Sequence, residues 1–223
     1  MIIRTIKDAI KTILHRLGID LSIDWDKRYK KLGSGSVFDS RTPEQLRQET
    51  TDKQSKLYKS LLEERLYKSD VSKVIDFGCG IGRHFPLLSS FSSINSKLKI
   101  DGFDPTLGLL KEASKHNYNK LFSKQAELKN GNKYDLVFVH MVFGGLNISQ
   151  LRESLEAIEA ISNPGTILFL VECTDEIKQK NAGPWRKRSS SEYLDIFHKF
   201  ELVEESHCLE AGDRLSILIG TYK

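Results

Sequence analysis

Residues 74–85 read VIDFGCGIGRHF. An apolar run ends on the carboxylate of Asp76, and Gly78, Gly80 and Gly82 follow at alternate positions. Glycine allows positive φ there and lets a ligand come close to the main chain. A helix opening after such a turn offers N–H groups and a partial positive charge to an anion. A second carboxylate, Asp104, closes the stretch LKIDGFD (98–104). Three ligand classes use this chemistry. A dinucleotide needs a third small residue, but Arg83 or Phe85 stands there, depending on which glycine starts the count. A nucleoside triphosphate needs G-K-[ST], which the chain lacks. The third class carries an ammonium for Asp76, a carboxylate for the turn N–H groups and a ribose for Asp104, as the acid about 20 residues on serves in dinucleotide folds. S-adenosylmethionine has all three groups.

These residues need elements to hold them. Strand patterns fall at 71–77, 98–104, 120–126, 134–140 and 166–172, with helix patterns at 83–91, 105–117 and 148–162 between them. Asn147 with Gln150 predicts a capping box, and Asn163-Pro164-Gly165 predicts the end of that helix. Strands at 200–209 and 215–222 flank the turn signal Ala211-Gly212-Asp213 and read as a closing hairpin. Apolar strands alternating with amphipathic helices imply an α/β fold, a doubly wound sheet covered on both faces. Upstream, Ile3, Ile6, Ile10, Ile13, Leu14 and Leu17 predict an amphipathic basic helix over 2–17, closed by Gly18. It would pack on the domain, on a partner subunit in a homodimer, or on a membrane surface. WDKRYKKLGSGSVFDSRT (25–42) reads as a polar loop. Thr42, Pro43 and Gln45 then predict a capped helix to about Ser69, with Leu57, Leu61, Leu62 and Leu66 on its apolar face. The expected division is 1–69, N-terminal helices and lid loop, and 70–223, the cofactor-binding domain.

VIDFGCGIGRHF resembles the first motif of class I S-adenosylmethionine-dependent methyltransferases, DGFDP their second, and YDLVFVHMVFGGL their fourth. LEAIEAISNPGTILFLVE resembles the helix–turn–strand that follows. The resemblance covers about 70–223. It implies a seven-stranded Rossmann-like sheet with an antiparallel last strand, and cofactor contacts from Asp76, Gly78, Cys79, Gly80, Gly82, Asp104 and Pro105. The family's third motif usually supplies an acid near the adenine amine. This chain has Gln125-Ala126-Glu127 instead, so Gln125 or Glu127 would serve. WDKRYKKLGSGS is similar to an N-terminal segment of bacterial methyltransferases linked to saccharide biosynthesis. That likeness implies Arg28 and Tyr29 over the cofactor or acceptor and Gly33–Ser36 in a lid. A surface loop with Trp25 packed on the domain is the plainer alternative.

A sulfonium methyl is already activated, so alignment of acceptor, methyl and sulfur supplies much of the rate. A base helps only where the acceptor must lose a proton. His140, at the end of the fourth strand, is the candidate base; a packed or cofactor-contacting histidine is the alternative. The loop after that strand lacks the Asn/Asp-Pro-Pro-aromatic pattern of base-amine methyltransferases and the paired glutamates of arginine methyltransferases. NAGPWRKRSSSEYLDIF (181–197) follows the fifth strand and offers Trp185, Arg186 and Arg188 to an acceptor, with Arg41 a further candidate. Arginine forks suit phosphate or carboxylate, and an indole face suits a sugar or base. The expected reaction is methyl transfer to an oxygen of a small anionic acceptor, a sugar or phosphate-bearing sugar derivative. An RNA or protein methyltransferase and a non-catalytic cofactor-binding module are the rivals.

The bounds agree. The 223 residues carry 34 basic and 30 acidic side chains, a net charge of +4 that falls short of a nucleic-acid footprint. Three cysteines without a C-x-x-C pair indicate neither a disulfide framework nor a zinc knuckle, and no other metal cluster is evident. No apolar run approaches the 18 residues of a membrane span. A cytoplasmic protein is the simplest expectation.

Overall fold

The computed structural model describes residues 23–174 and 185–223. The segment 2–17, with its expected helix and dimer contact, lies outside the described residues, as do 175–184.

Seven strands form one sheet: β1 (Lys73–Phe77), β2 (Lys99–Phe103), β3 (Lys120–Phe122), β4 (Tyr134–His140), β5 (Ser162–Cys173), β6 (Val203–Glu210) and β7 (Asp213–Thr221). Their order is β3-β2-β1-β4-β5-β7-β6. The first five strands pair in parallel; β7 runs antiparallel between β5 and β6. This is the doubly wound sheet with an antiparallel last strand that the sequence predicts. The hairpin turns on Ala211 and Gly212, both at positive φ, the two-residue geometry that matches strand twist.

Alternation along each strand divides the core between two faces. Val74, Leu136, Phe138, Phe169 and Ile217 point one way and meet Tyr58, Leu62 and Leu66 of α2 (Arg47–Lys68). Ile75, Val137, Val139, Leu168 and Leu218 point the other way. They meet Ala157 and Ile158 of α6 (Ile148–Ala160) and Tyr193 of α7 (Ser190–Ile196). Both ends of the predicted Asn147–Gln150 capping box are made.

Several expectations need correction. The stretch read as a loop from 25 contains α1 (Trp25–Leu32) and a 3-10 turn over Gly33–Val37. Asp24 accepts from the Lys27 N–H at 2.8 Å, Asp26 sits in the first turn and Lys30 and Lys31 in the last. Capping and dipole complementarity therefore outweigh low hydrophobicity. Thr42 does not cap α2: among the described residues its buried hydroxyl has no hydrogen-bond partner, and Pro43 introduces a 3-10 turn, Glu44–Leu46, ahead of α2. Asn163-Pro164-Gly165 does not end α6 directly. It bulges from the start of β5, where Tyr134 pairs with Ser162 but Leu136 already pairs with Ile167. β3 is only three residues, and Gln125 opens a short helix, α5 (Gln125–Lys129), instead of prolonging the strand. The remaining helices are shorter than expected: α3 (Phe85–Ser90) and α4 (Leu107–Ala113).

Candidate active site

β1 lies between β2 and β4, so its carboxyl end is where the chain reverses direction across the sheet, the place such folds bind ligands. A cavity of about 460 Å³ opens there. Asp76, Gly78, Cys79, Gly80, Asp104, Pro105, Gln125 and His140 line it, and these are eight of the residues singled out from sequence. Asp76 is buried and accepts from the Tyr118 hydroxyl at 2.6 Å. Burial pushes its carboxyl up to about 7, against the lowering effect of that bond. Asp104 accepts from the N–H groups of Gly80 at 3.0 Å and Thr106 at 2.8 Å. Burial still raises it to about 6. Gln125 lines the cavity and donates to the hydroxyl of Ser154, another lining residue, at 3.1 Å.

The glycine turn works differently from expectation. Gly78, Gly80 and Gly82 all have positive φ. Their N–H groups are already engaged: Gly78 and Cys79 donate to the Phe103 carbonyl, Gly80 to Asp104, and Gly82 to the Cys79 carbonyl. The turn is thus a rigid floor tying β1 to β2, not an open anion cradle. Gly82 is absent from the cavity wall; a Cβ there would lie 2.5 Å from the His116 ring. A Cβ on Gly78 would lie 2.3 Å from Val142 Cγ2, so the turn packs directly on the segment after β4.

His140 also reaches the cavity, and its Nε2 shares a 3.2 Å hydrogen bond with the Tyr58 hydroxyl. Burial, then His84 and Arg83, hold it well below the ordinary histidine range, so the ring is neutral. The His84 ring centre lies 4.3 Å away, and neither of its nitrogens has a hydrogen-bond partner among the described residues.

A second cavity, about 480 Å³, adjoins the first and shares Trp25, Val37, Arg83 and Met141 with it. Arg28, Arg41 and Trp185 line it. Arg28 donates to the carbonyls of Ser36 at 2.7 Å and Phe38 at 3.1 Å, holding the 3-10 turn over the sheet. It is therefore not over the first cavity. Tyr29 lines neither: its ring packs on Gly108 and its hydroxyl donates to Glu112 at 3.3 Å. Arg41 is paired with Asp39 at 2.7 Å and Asp213 at 2.5 Å. Arg186 and Arg188 do not reach the cavities. The Arg186 N–H donates to the Gly144 carbonyl at 2.6 Å, and buried Arg188 donates to the Phe143 carbonyl at 2.9 Å. Both brace the segment after β4.

Three residues escaped the sequence reading. His84 and Arg83 stand inside the first motif, but their type carried no pattern. Arg83 is held between Gln54 at 2.6 Å and Glu210 at 3.4 Å, in the wall of both cavities. Glu172 is the penultimate residue of β5 as Asp76 is of β1, and an acid near the end of an apolar strand was the available signal.

A family described as a methyltransferase domain matches residues 46–207. The chain belongs to this family. No curated protein matches it in sequence. Among solved structures, this methyltransferase resembles a SAM-dependent methyltransferase from Anabaena variabilis at 13% identity and TM-score 0.64, covering 89% of this chain and 93% of that one. It also resembles magnesium protoporphyrin IX methyltransferase from Synechocystis with bound SAH, at 15% identity and TM-score 0.59, covering 97% and 100%. Human N-acetylserotonin methyltransferase in complex with SAM aligns at 14% and 0.56, covering 94% of this chain and 61% of that one. These likenesses establish the fold. The lining of the first cavity has chemistry that fits S-adenosylmethionine: two buried carboxylates stand at neighbouring strand tips above a glycine floor. Among the described residues no helix is long and apolar enough to cross a membrane.

Proposed function

We propose that this methyltransferase moves a methyl group from S-adenosylmethionine, held in the first cavity, to an oxygen of a small anionic acceptor in the second. The observation that carries the reading is the shared wall: two cavities of similar volume meet at Trp25, Val37, Arg83 and Met141. S-adenosylmethionine supplies a methyl activated by its sulfonium. Asp76 pairs with the ammonium, Asp104 accepts from the ribose hydroxyls, and Gln125 faces the base. Among the described residues the acceptor side is net positive. Arg28, Arg41, Arg83 and Lys187 line it against Asp39, Glu210 and Asp213. Arg28 makes no ion pair among the described residues, so its guanidinium is the group for a phosphate or carboxylate. Trp25, Trp185 and Phe38 give ring-shaped walls, which suits a sugar or a sugar phosphate. His140 lines the first cavity and not the second, its Nε2 is engaged by Tyr58, and burial disfavours its protonated form, so it is read as a cofactor-side histidine rather than as the base.

The test is formation of S-adenosylhomocysteine from S-adenosylmethionine with a panel of sugar phosphates, sugar nucleotides and their neutral parent sugars. Turnover with the anionic members, reduced in Arg28→Ala, supports the reading. Turnover confined to neutral acceptors overturns the anionic part, and binding without turnover across the panel favours a non-catalytic module.

A further inference from the structure

Glu172 is fully buried at the end of β5, yet it lines neither cavity. Its carboxylate accepts from the main-chain N–H groups of Val142 and Phe143, both at 2.7 Å, and of Gly144 at 3.4 Å. The Tyr193 hydroxyl donates to it at 3.3 Å. It therefore caps the 3-10 turn Phe143–Gly145 that follows β4. That segment is under local strain: Met141 has a φ of 56° without being glycine. It is also the wall between the cavities. Met141 faces both, Val142 packs on Gly78, Trp185 lies on Gly144, and Trp25 lies against Gly145.

We propose that Glu172 is a positioning residue whose ionised carboxylate holds the 141–145 segment, and with it the partition between cofactor and acceptor, in the shape methyl transfer needs. The role in transfer rests on the reading above; the holding of the segment does not. Only the carboxylate form presents full acceptors, and no donor, on both oxygens to this row of donors. Protonation puts an O–H on one oxygen: the Tyr193 hydroxyl can turn to accept it, but a main-chain N–H on that side cannot, and the segment loosens.

Among the described residues few groups face Glu172. The Tyr193 hydroxyl comes from α7 and the Arg188 guanidinium from just before it, while β7 places Ser216 opposite it in the ladder and the 141–145 segment offers main chain. Burial raises the Glu172 carboxyl to about 7, against the lowering effect of the three N–H bonds and Arg188. The segment's grip therefore changes near neutral pH. A raised pKa means the folded chain binds this proton more tightly than the unfolded chain, so the fold loses no stability from Glu172 as pH falls through 7. Loosening and unfolding are separable.

The two tryptophans that touch Gly144 and Gly145 are the only two in the chain, so their emission reports on the segment without any ligand or acceptor. Emission of the full chain is titrated from pH 8.5 to 5.5, with far-UV circular dichroism alongside. The expected result is a transition with a midpoint near 7 at unchanged dichroism. It is absent in Glu172→Gln and retained in Asp76→Asn. In Tyr193→Phe, which removes one donor to the ionised form, the midpoint moves to higher pH. A flat wild-type titration, an unaltered midpoint in Glu172→Gln, or a midpoint unmoved or lowered in Tyr193→Phe overturns the proposal. Because no turnover is measured, these outcomes stand apart from success or failure of the methyl-transfer reading.

Discussion

Replacing Asp76 by Asn should make the chain more stable and a worse binder at once. The unliganded carboxylate is buried, and burial raises it from 3.8 to about 7. The folded chain then prefers the protonated form. The cost of the charge is absent below the unfolded pKa, grows as pH rises from about 4, and is complete above about 7. Roughly three pKa units correspond to about 4 kcal/mol at 1.36 kcal/mol each, an upper bound because asparagine must still satisfy a buried amide. At about 2–4 °C per kcal/mol for a chain of this size, Tm rises by at most about 8–16 °C at pH 8. Little gain is expected at pH 4, where wild type is already protonated. Binding moves the other way. A hydrogen bond to a charged group contributes about 1.5–3 kcal/mol, so loss of the ammonium's partner weakens S-adenosylhomocysteine by about tenfold to a hundredfold. Thermal melts at pH 4 and 8, with calorimetric titration of S-adenosylhomocysteine at pH 8, measure both. A lower Tm at pH 8, or an unchanged affinity, refutes the assignment of Asp76 as a buried carboxylate that its Tyr118 bond compensates only in part and that awaits a cation.

Further outcomes follow from the same geometry. In wild type, S-adenosylhomocysteine affinity falls about twentyfold from pH 8 to pH 6, as Asp76 near 7 and Asp104 near 6 take up protons; isothermal titration across that range checks it. Gly78→Ala forces a side chain into positive φ, at about 1–2 kcal/mol, and its Cβ displaces Val142. Its Tm should fall by several degrees, with weaker cofactor binding. Arg28→Ala should raise KM for a phosphate-bearing acceptor by more than it weakens S-adenosylhomocysteine, because Arg28 itself lines only the second cavity while the turn it clasps carries Val37 into both. His140→Gln, a change in the wall of the first cavity alone, should weaken S-adenosylhomocysteine binding more than it lowers kcat; a fall in kcat of about a hundredfold or more, the size of a lost base, at unchanged affinity would assign it the proton instead.

The parts of the site set by local pattern could be read from sequence. Asp76, Asp104 and the glycines between them lie where strand ends and turn chemistry put them, and His140 lies at the end of a strand whose bounds are the ones predicted. What could not be read depends on distant contacts. Arg188 carries an acceptor-like residue type, but it turns inward to the Phe143 carbonyl. Arg186 follows the chain path and offers its main chain to Gly144. Tyr29 packs on Gly108 because that position has no side chain, a complementarity across 79 residues that no local window contains. The same holds for Glu172, whose partners lie some thirty positions upstream. α1 was hidden for another reason: its stability comes from Asp24 capping and from the Arg28 clasp, not from apolar periodicity.

The central claim is that one ligand spans the two carboxylates at the tips of β1 and β2. A crystal structure of the chain grown with S-adenosylhomocysteine tests it most directly. The account predicts the amine within hydrogen-bond distance of Asp76 and the ribose hydroxyls within hydrogen-bond distance of Asp104. Density for the ligand elsewhere, or seated in this cavity with neither carboxylate in contact, would contradict it.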